Sequence, residues 1–94
     1  MAKTAAGGTA MSLTEAQDAV HDIWKDVLGD EAPDRIGLED DFFEIGGTSL
    51  SLVTVVAKMS ERFGTDLPTG IVVNGATIDA LARSALEELS SASA

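Results

Sequence analysis

Ser49 is the residue of this chain whose oxygen is best placed for chemistry. It follows Asp41-Phe42-Phe43-Glu44-Ile45-Gly46-Gly47-Thr48 and opens the most apolar predicted helix, which begins Ser49-Leu50. Gly46-Gly47 supplies a sharp, unhindered turn into that helix. The serine is thus accessible and sits at the positive end of a helix dipole. An anion attached to its oxygen gains about 0.3–1 kcal/mol at such an exposed site. A phosphodiester is one such anion. The plainer role for Thr48 or Ser49 is an N-cap, typically contributing ~1 kcal/mol. Both roles coexist if Thr48 caps and Ser49 stays free.

Other chemistry is poorly served. A hydrolytic serine needs a base to take its proton, and the single histidine, His21, belongs to a different predicted helix. The G-x-S-x-G elbow is broken by Ser51 in the last glycine position. No phosphate-binding G-x-x-x-x-G-K-[ST] occurs, and Glu39-Asp40-Asp41 lacks the alternating ligands of a calcium loop. The chain has no cysteine, which removes disulfides, thiolate nucleophiles and cysteine-ligated metals. The expectation is a protein without a metal site that is not itself a catalyst.

Ninety-four residues allow one small domain, and 45% hydrophobic residues with 4% aromatics make its core mainly aliphatic. No apolar run approaches the roughly 20 residues of a membrane span, and the N-terminus lacks the pattern of a secretory signal. A soluble, cytoplasmic monomer is expected. Sixteen acids against six bases give a net charge of −10, which disfavours nucleic acid and anionic membrane and favours basic protein surfaces. Eight of those acids fall between Asp26 and Glu44, leading up to Ser49. By itself such a cluster reads as a solvated loop; its position beside Ser49 suggests a contact surface.

The elements that must hold Ser49 follow from periodicity. Residues 1–12 read as a disordered tail, 13–89 as one domain and 90–94 as a second tail. A first helix begins near Thr14, a plausible N-cap, and buries Leu13, Ala16, Val20, Ile23, Trp24, Val27 and Leu28. Gly29 ends it and Pro33 prevents its resumption. Residues 30–48 form a long loop that Ile36, Leu38, Phe42, Phe43 and Ile45 could pin to the core. The second helix runs from Ser49 to Phe63, with Leu52, Val55, Val56, Met59 and Phe63 as its core arc. Leu50, Val53 and Ala57 form a further apolar strip flanking that arc, either a wider core or an exposed contact patch. Residues 69–73 are ambiguous between a helical turn and an irregular piece, and Asn74-Gly75 reads as a loop. Thr77 caps a last helix that buries Ile78, Leu81, Ala82, Ala85, Leu86 and Leu89. The fold class is all-α: a small antiparallel four-helix bundle with a short, uncertain third helix.

The stretch Asp41–Leu50 resembles the D-x-F-F-E-L-G-G-x-S-L signature of peptidyl carrier (thiolation) domains of nonribosomal peptide synthesis. Ile23-Trp24 with Val27-Leu28-Gly29, Arg62-Phe63-Gly64 with Leu67-Pro68, and Thr77-Ile78 with Ala80-Leu81-Ala82 extend the likeness over residues 14–89. The resemblance implies that Ser49 receives 4′-phosphopantetheine from coenzyme A through a separate phosphopantetheinyl transferase. It implies an aminoacyl or peptidyl thioester on that arm, loaded by an adenylation enzyme and used by condensation, tailoring or thioesterase enzymes. Leu50, Val53 and Ala57 would dock partners, with Asp40, Asp41, Glu44 and Thr48 beside them. Thr48 stands where such carriers often have His or Asp. Val72–Thr77 replaces the usual L-F-E-x-P-T, so the third helix departs furthest from the pattern. Acyl carriers of polyketide and fatty acid synthesis usually read L-G-x-D-S-L, an alternative that Gly46-Gly47 and Trp24 disfavour. An acidic helical interaction module in which Ser49 only caps is the remaining alternative. The initial methionine and the end just past the last helix suggest a free-standing carrier, with Met11 as a further candidate start.

Overall fold

The computed structural model describes residues 11–93, with side chains through Ser90. Three α-helices, α1 (Leu13–Leu28), α2 (Ser49–Phe63) and α3 (Ile78–Ser93), are joined by loops that contain 3-10 turns at Gly29–Glu31 and Thr69–Asn74. The ambiguous segment is therefore helical, and no strand occurs among the described residues. Asp22 pairs with Arg62 and Asp26 with Lys58 across the first two helices, so α2 runs antiparallel to α1. Helix α1 packs on both α2 and α3, which touch each other sparingly.

Helix α1 starts one residue before Thr14. Ser12 is its N-cap: Ser12 Oγ accepts from Glu15 N at 3.1 Å, and Glu15 Oε1 accepts from Ser12 N at 2.9 Å. This reciprocal capping box satisfies two orphan donors, where Thr14 could satisfy none so early in the helix. Ser12 thus caps α1 and Met11 packs against the core, both ahead of residue 13. At the other end α3 carries on to Ser93, through residues expected as a tail. The expectations for residues 1–10 and Ala94 lie outside the described residues.

The α1 stripe is buried as its 3.6-residue period requires, except that Leu13 and Val27 are half-buried. Trp24 is fully buried and meets the Phe42 ring edge-on, centroids 4.9 Å apart. Its indole Nε1 is buried without a hydrogen-bond partner among the described residues. An orphaned donor costs about 1–3 kcal/mol, whereas burying 150–250 Å² of indole at about 25 cal/mol per Å² gains roughly 4–6 kcal/mol. Burial wins, and Trp24 is a core anchor. His21 is half-buried on the boundary, 3.9 Å from Asp22.

The core arc of α2 is buried as expected. Gly64, at φ 71°, ends the helix in the left-handed conformation that favours glycine. Ser60 Oγ then accepts from Leu67 N at 3.0 Å, drawing the connector back under α2. Thr77 Oγ1 accepts from Ala80 N at 3.0 Å and caps α3, whose Ile78, Leu81, Ala82 and Ala85 are buried. Asn74 Nδ2 lies 3.2 Å from the buried Ser84 Oγ, tying the 3-10 turn to α3.

The long loop is pinned differently from expectation. Phe42 is fully buried, and Ile36 and Ile45 pack partly against the core, but Leu38 and Phe43 are 44% and 47% exposed. Backbone bonds anchor the loop at these points instead: Phe42 N donates to Ala76 O at 2.8 Å, and Asp79 N donates to Leu38 O at 3.1 Å. A backbone anchor is indifferent to side-chain polarity, so Leu38 is held in place while its side chain stays in water.

Candidate functional site

The turn that delivers the chain into α2 needs both of its glycines, for different reasons. Gly46 has φ 114°, a conformation that side chains rarely adopt. Gly47 has no such φ; its constraint is space. A Cβ there would overlap one edge of the Phe42 ring, at Cε2 and Cδ2. Gly47 N also donates to Phe42 O at 2.9 Å, so ring and backbone of one residue close the turn.

Thr48 is the N-cap of α2 and makes a reciprocal box with Ser51. Thr48 Oγ1 accepts from Ser51 N at 3.1 Å, while Thr48 N donates to Ser51 Oγ at 2.7 Å. Ser51 is half-buried as the third helical residue of this box. Ser49, the first helical residue, is exposed, and its Oγ has no hydrogen-bond partner among the described residues. Thr48 O accepts from Leu52 N, so the N–H groups of Ser49 and Leu50 are those left open at this helix end. The two roles are thus divided: Thr48 caps and Ser49 is free. Replacing Thr48 with alanine should lower unfolding free energy by about 1 kcal/mol while Ser49 stays accessible. A urea titration followed by Trp24 fluorescence reads this, and an unchanged midpoint would mean that the cap contributes nothing.

The strip beside Ser49 faces outward. Leu50 is 82% exposed, Val53 is 50% exposed and Ala57 is exposed as well. It stands clear of the core rather than flanking it, and its apolar surface is unpartnered. Leu38 and Phe43, expected to pin the loop, and Val73 are further exposed apolar side chains.

The acids divide into two kinds. Asp40 Oδ2 accepts from Gly37 N at 2.8 Å and Asp41 Oδ1 from Phe43 N at 2.8 Å. Each shapes the loop with one oxygen and keeps the other for charge. Glu44 is exposed and makes no such bond among the described residues. Gly46 lies close to the Glu31 carboxylate, 3.6 Å from the point where a Cβ would stand, so Glu31 joins this acidic surface. Three bases are paired elsewhere: Lys58–Asp26 at 3.2 Å, Arg62–Asp22 at 3.8 Å and Arg83–Asp79 at 3.0 Å. The first two line a shallow groove of about 360 Å³ between α1 and α2 that includes none of residues 41–50. No cluster of metal-ligating side chains and no helix long and apolar enough to cross a membrane occurs among the described residues.

Comparison with known proteins agrees with this geometry. Residues 18–84 match the family described as phosphopantetheine attachment site. The chain is 36% identical over 83 residues to phosphinothricin tripeptide synthetase PhsC of Streptomyces viridochromogenes, covering 88% of this chain and 7% of that protein. It is 38% identical over 84 residues to syringomycin synthase SyrB1 of Pseudomonas syringae pv. syringae, covering 82% of this chain and 13% of that protein. The chain therefore spans a small fraction of these relatives' length. Among solved structures it resembles a chain of the complex of the phosphopantetheine transferase Sfp with coenzyme A and a peptidyl carrier protein. The TM-score is 0.67 at 32% identity, over 77% of this chain and 90% of the other. The peptide synthetases among the relatives favour the peptidyl reading over the acyl-carrier alternative and over a bare interaction module. The chain belongs to the phosphopantetheine-attachment family, as a peptidyl carrier (thiolation) domain whose cofactor is covalently held 4′-phosphopantetheine.

Proposed function

We propose that Ser49 is the attachment residue and that the domain carries aminoacyl or peptidyl groups for other enzymes. The observation that carries this is the capping box of Thr48 and Ser51, which leaves the exposed Ser49 Oγ without a partner. A hydroxyl committed to a cap would have to break a bond before reacting. This one does not. Its fit to the arm rests on the same features: an open oxygen, free N–H groups at the helix start and no covering side chain.

Attachment joins Ser49 Oγ to the phosphorus of the arm while the pyrophosphate linkage of coenzyme A breaks, and adenosine 3′,5′-bisphosphate leaves. The serine proton leaves to a base that belongs to a phosphopantetheinyl transferase, since Ser49 has none bonded to it. Once attached, the arm supplies a thiol that holds the cargo as a thioester, in a chain that has no cysteine of its own. The free N–H groups of Ser49 and Leu50 and the helix dipole stabilise the negative phosphodiester. Leu50, Val53 and Ala57 offer apolar contact to partners, and Asp40, Asp41, Glu44 and Thr48 offer polar contact. The net charge of −10 steers basic partner surfaces towards the domain. Those partners are the transferase, an adenylation enzyme, and condensation, tailoring or thioesterase enzymes, all acting on a non-catalytic carrier in the cytoplasm.

Incubation with coenzyme A and a broad-specificity transferase should add one phosphopantetheine to the intact mass. Ser49→Ala should gain none. An unmodified wild-type chain, or equal modification of the variant, overturns the assignment.

A further inference from the structure

We infer that Phe42 is a positioning residue for the attachment reaction, holding Ser49 where its oxygen can be used. Its role rests on Ser49 being the attachment residue. Four contacts meet at this one side chain and its backbone. The ring occupies the space that a Cβ at Gly47 would take. Phe42 O accepts from Gly47 N at 2.9 Å. Phe42 N donates to Ala76 O at 2.8 Å, just ahead of α3. The ring packs edge-on to Trp24 of α1 at 4.9 Å. Gly47 leads directly through Thr48 to Ser49, so the start of α2 is referenced through Phe42 to both other helices.

The need for such a reference follows from the turn and from the packing. Two consecutive glycines leave the backbone more freedom than any other pair of residues. Helix α2 makes little direct contact with α3. Without the ring on Gly47, the backbone bond to Phe42 O remains, but the space the ring fills opens to other paths that glycine permits. The cap would still form, because Thr48 and Ser51 are neighbours on the chain, but the helix start could shift as a unit. Reaction geometry is sensitive to such shifts, with a displacement of about 1 Å able to cost up to 10²-fold in rate.

Phe42→Leu keeps an apolar core residue and removes the flat ring. Its companion is Leu67→Ala, which opens the core where Leu67 is buried, beyond the far end of α2 from Ser49. Both variants lose stability, and Trp24 fluorescence in a urea titration gives the folded fraction of each. Rates are then measured with varied carrier, saturating coenzyme A and a broad-specificity transferase, per folded molecule. Phe42→Leu is expected to lower kcat about tenfold with KM within about twofold, because the docking strip is untouched. Leu67→Ala is expected to keep kcat and KM within about twofold of wild type. Equal kcat for Phe42→Leu and wild type, or an equal fall in both variants, overturns the inference and leaves Phe42 a structural residue alone. Modification of Ser49→Ala would instead overturn the attachment assignment, so the two failures are distinct. Should Phe42→Leu not fold, Phe42→Met takes its place with the same expected split.

Discussion

Replacing Gly47 with alanine should lower the unfolding free energy of this domain by at least about 2 kcal/mol. Overpacking a close-packed interior costs typically 1–3 kcal/mol, and here three ring atoms lie 2.2–2.7 Å from the new Cβ. The ring cannot yield cheaply, because Phe42 is fully buried against Trp24. The backbone cannot yield cheaply either, since Gly47 N and Phe42 N both hold hydrogen bonds across the loop. A domain of this size has about 5 kcal/mol or little more to lose. Gly70→Ala is the matched control: open space surrounds its Cβ position and its φ is not positive, so the change should be within about 0.5 kcal/mol of neutral. Urea titrations of both variants, followed by the single tryptophan, compare them directly. Similar midpoints for the two would show that the ring does not sit on the glycine.

The difference between the two glycines shows where the sequence is readable and where it is not. Gly46-Gly47 announces a turn, but the type of residue does not reveal that one glycine serves φ and the other serves a ring. Adjacent Phe42 and Phe43 have the same composition and the same local pattern, yet one is buried and the other is half exposed. An irregular loop has no period to assign faces, and the choice is made by Ala76 and Gly47, distant and near partners that no local rule connects. In helices the period does assign faces. The core arc of α2 is legible for that reason, whereas Leu50, Val53 and Ala57 at its flank fit either core or surface until their exposure decides it.

Caps fall between these cases. Thr48 and Ser49 are equally plausible caps by residue type, and the paired bonds between Thr48 and Ser51 decide for Thr48. Ser12-Leu13-Thr14-Glu15 carries a readable capping box, masked by the equally suitable Thr14 two residues on. Residues 90–93 have no apolar pattern, but they also have no helix breaker, and α3 continues through them. Asp40 and Asp41 read as surface charge because loop geometry alone turns a carboxylate into an acceptor for the backbone. Ser49 stands out in the sequence by its place at the helix start, whereas only geometry separates its free oxygen from the neighbouring cap.

Leu50→Asp should leave the fold intact and reduce modification by a transferase at least about thirtyfold in kcat/KM. At 82% exposure Leu50 contributes little burial to the folded domain. An acidic residue in the first turn of α2 interacts favourably with the helix dipole, by about 0.3–1 kcal/mol. Stability should therefore hold or rise slightly. At a docked interface the balance reverses. Burying a leucine side chain gains about 1.5–3 kcal/mol, and a carboxylate in its place forfeits that gain and adds a desolvation cost. A loss of about 2 kcal/mol corresponds to roughly thirtyfold. The effect should fall mainly on KM, in contrast to the kcat effect expected of Phe42→Leu. Net charge also changes by one unit, so Lys25→Ala supplies the same change from an exposed position on α1. It should alter kcat/KM less than about threefold at physiological salt, where steering between separated charges is largely screened. If Leu50→Asp is modified within threefold of wild type, the strip beside Ser49 is not where the transferase docks. If Lys25→Ala falls as far as Leu50→Asp, net charge rather than local contact governs recognition.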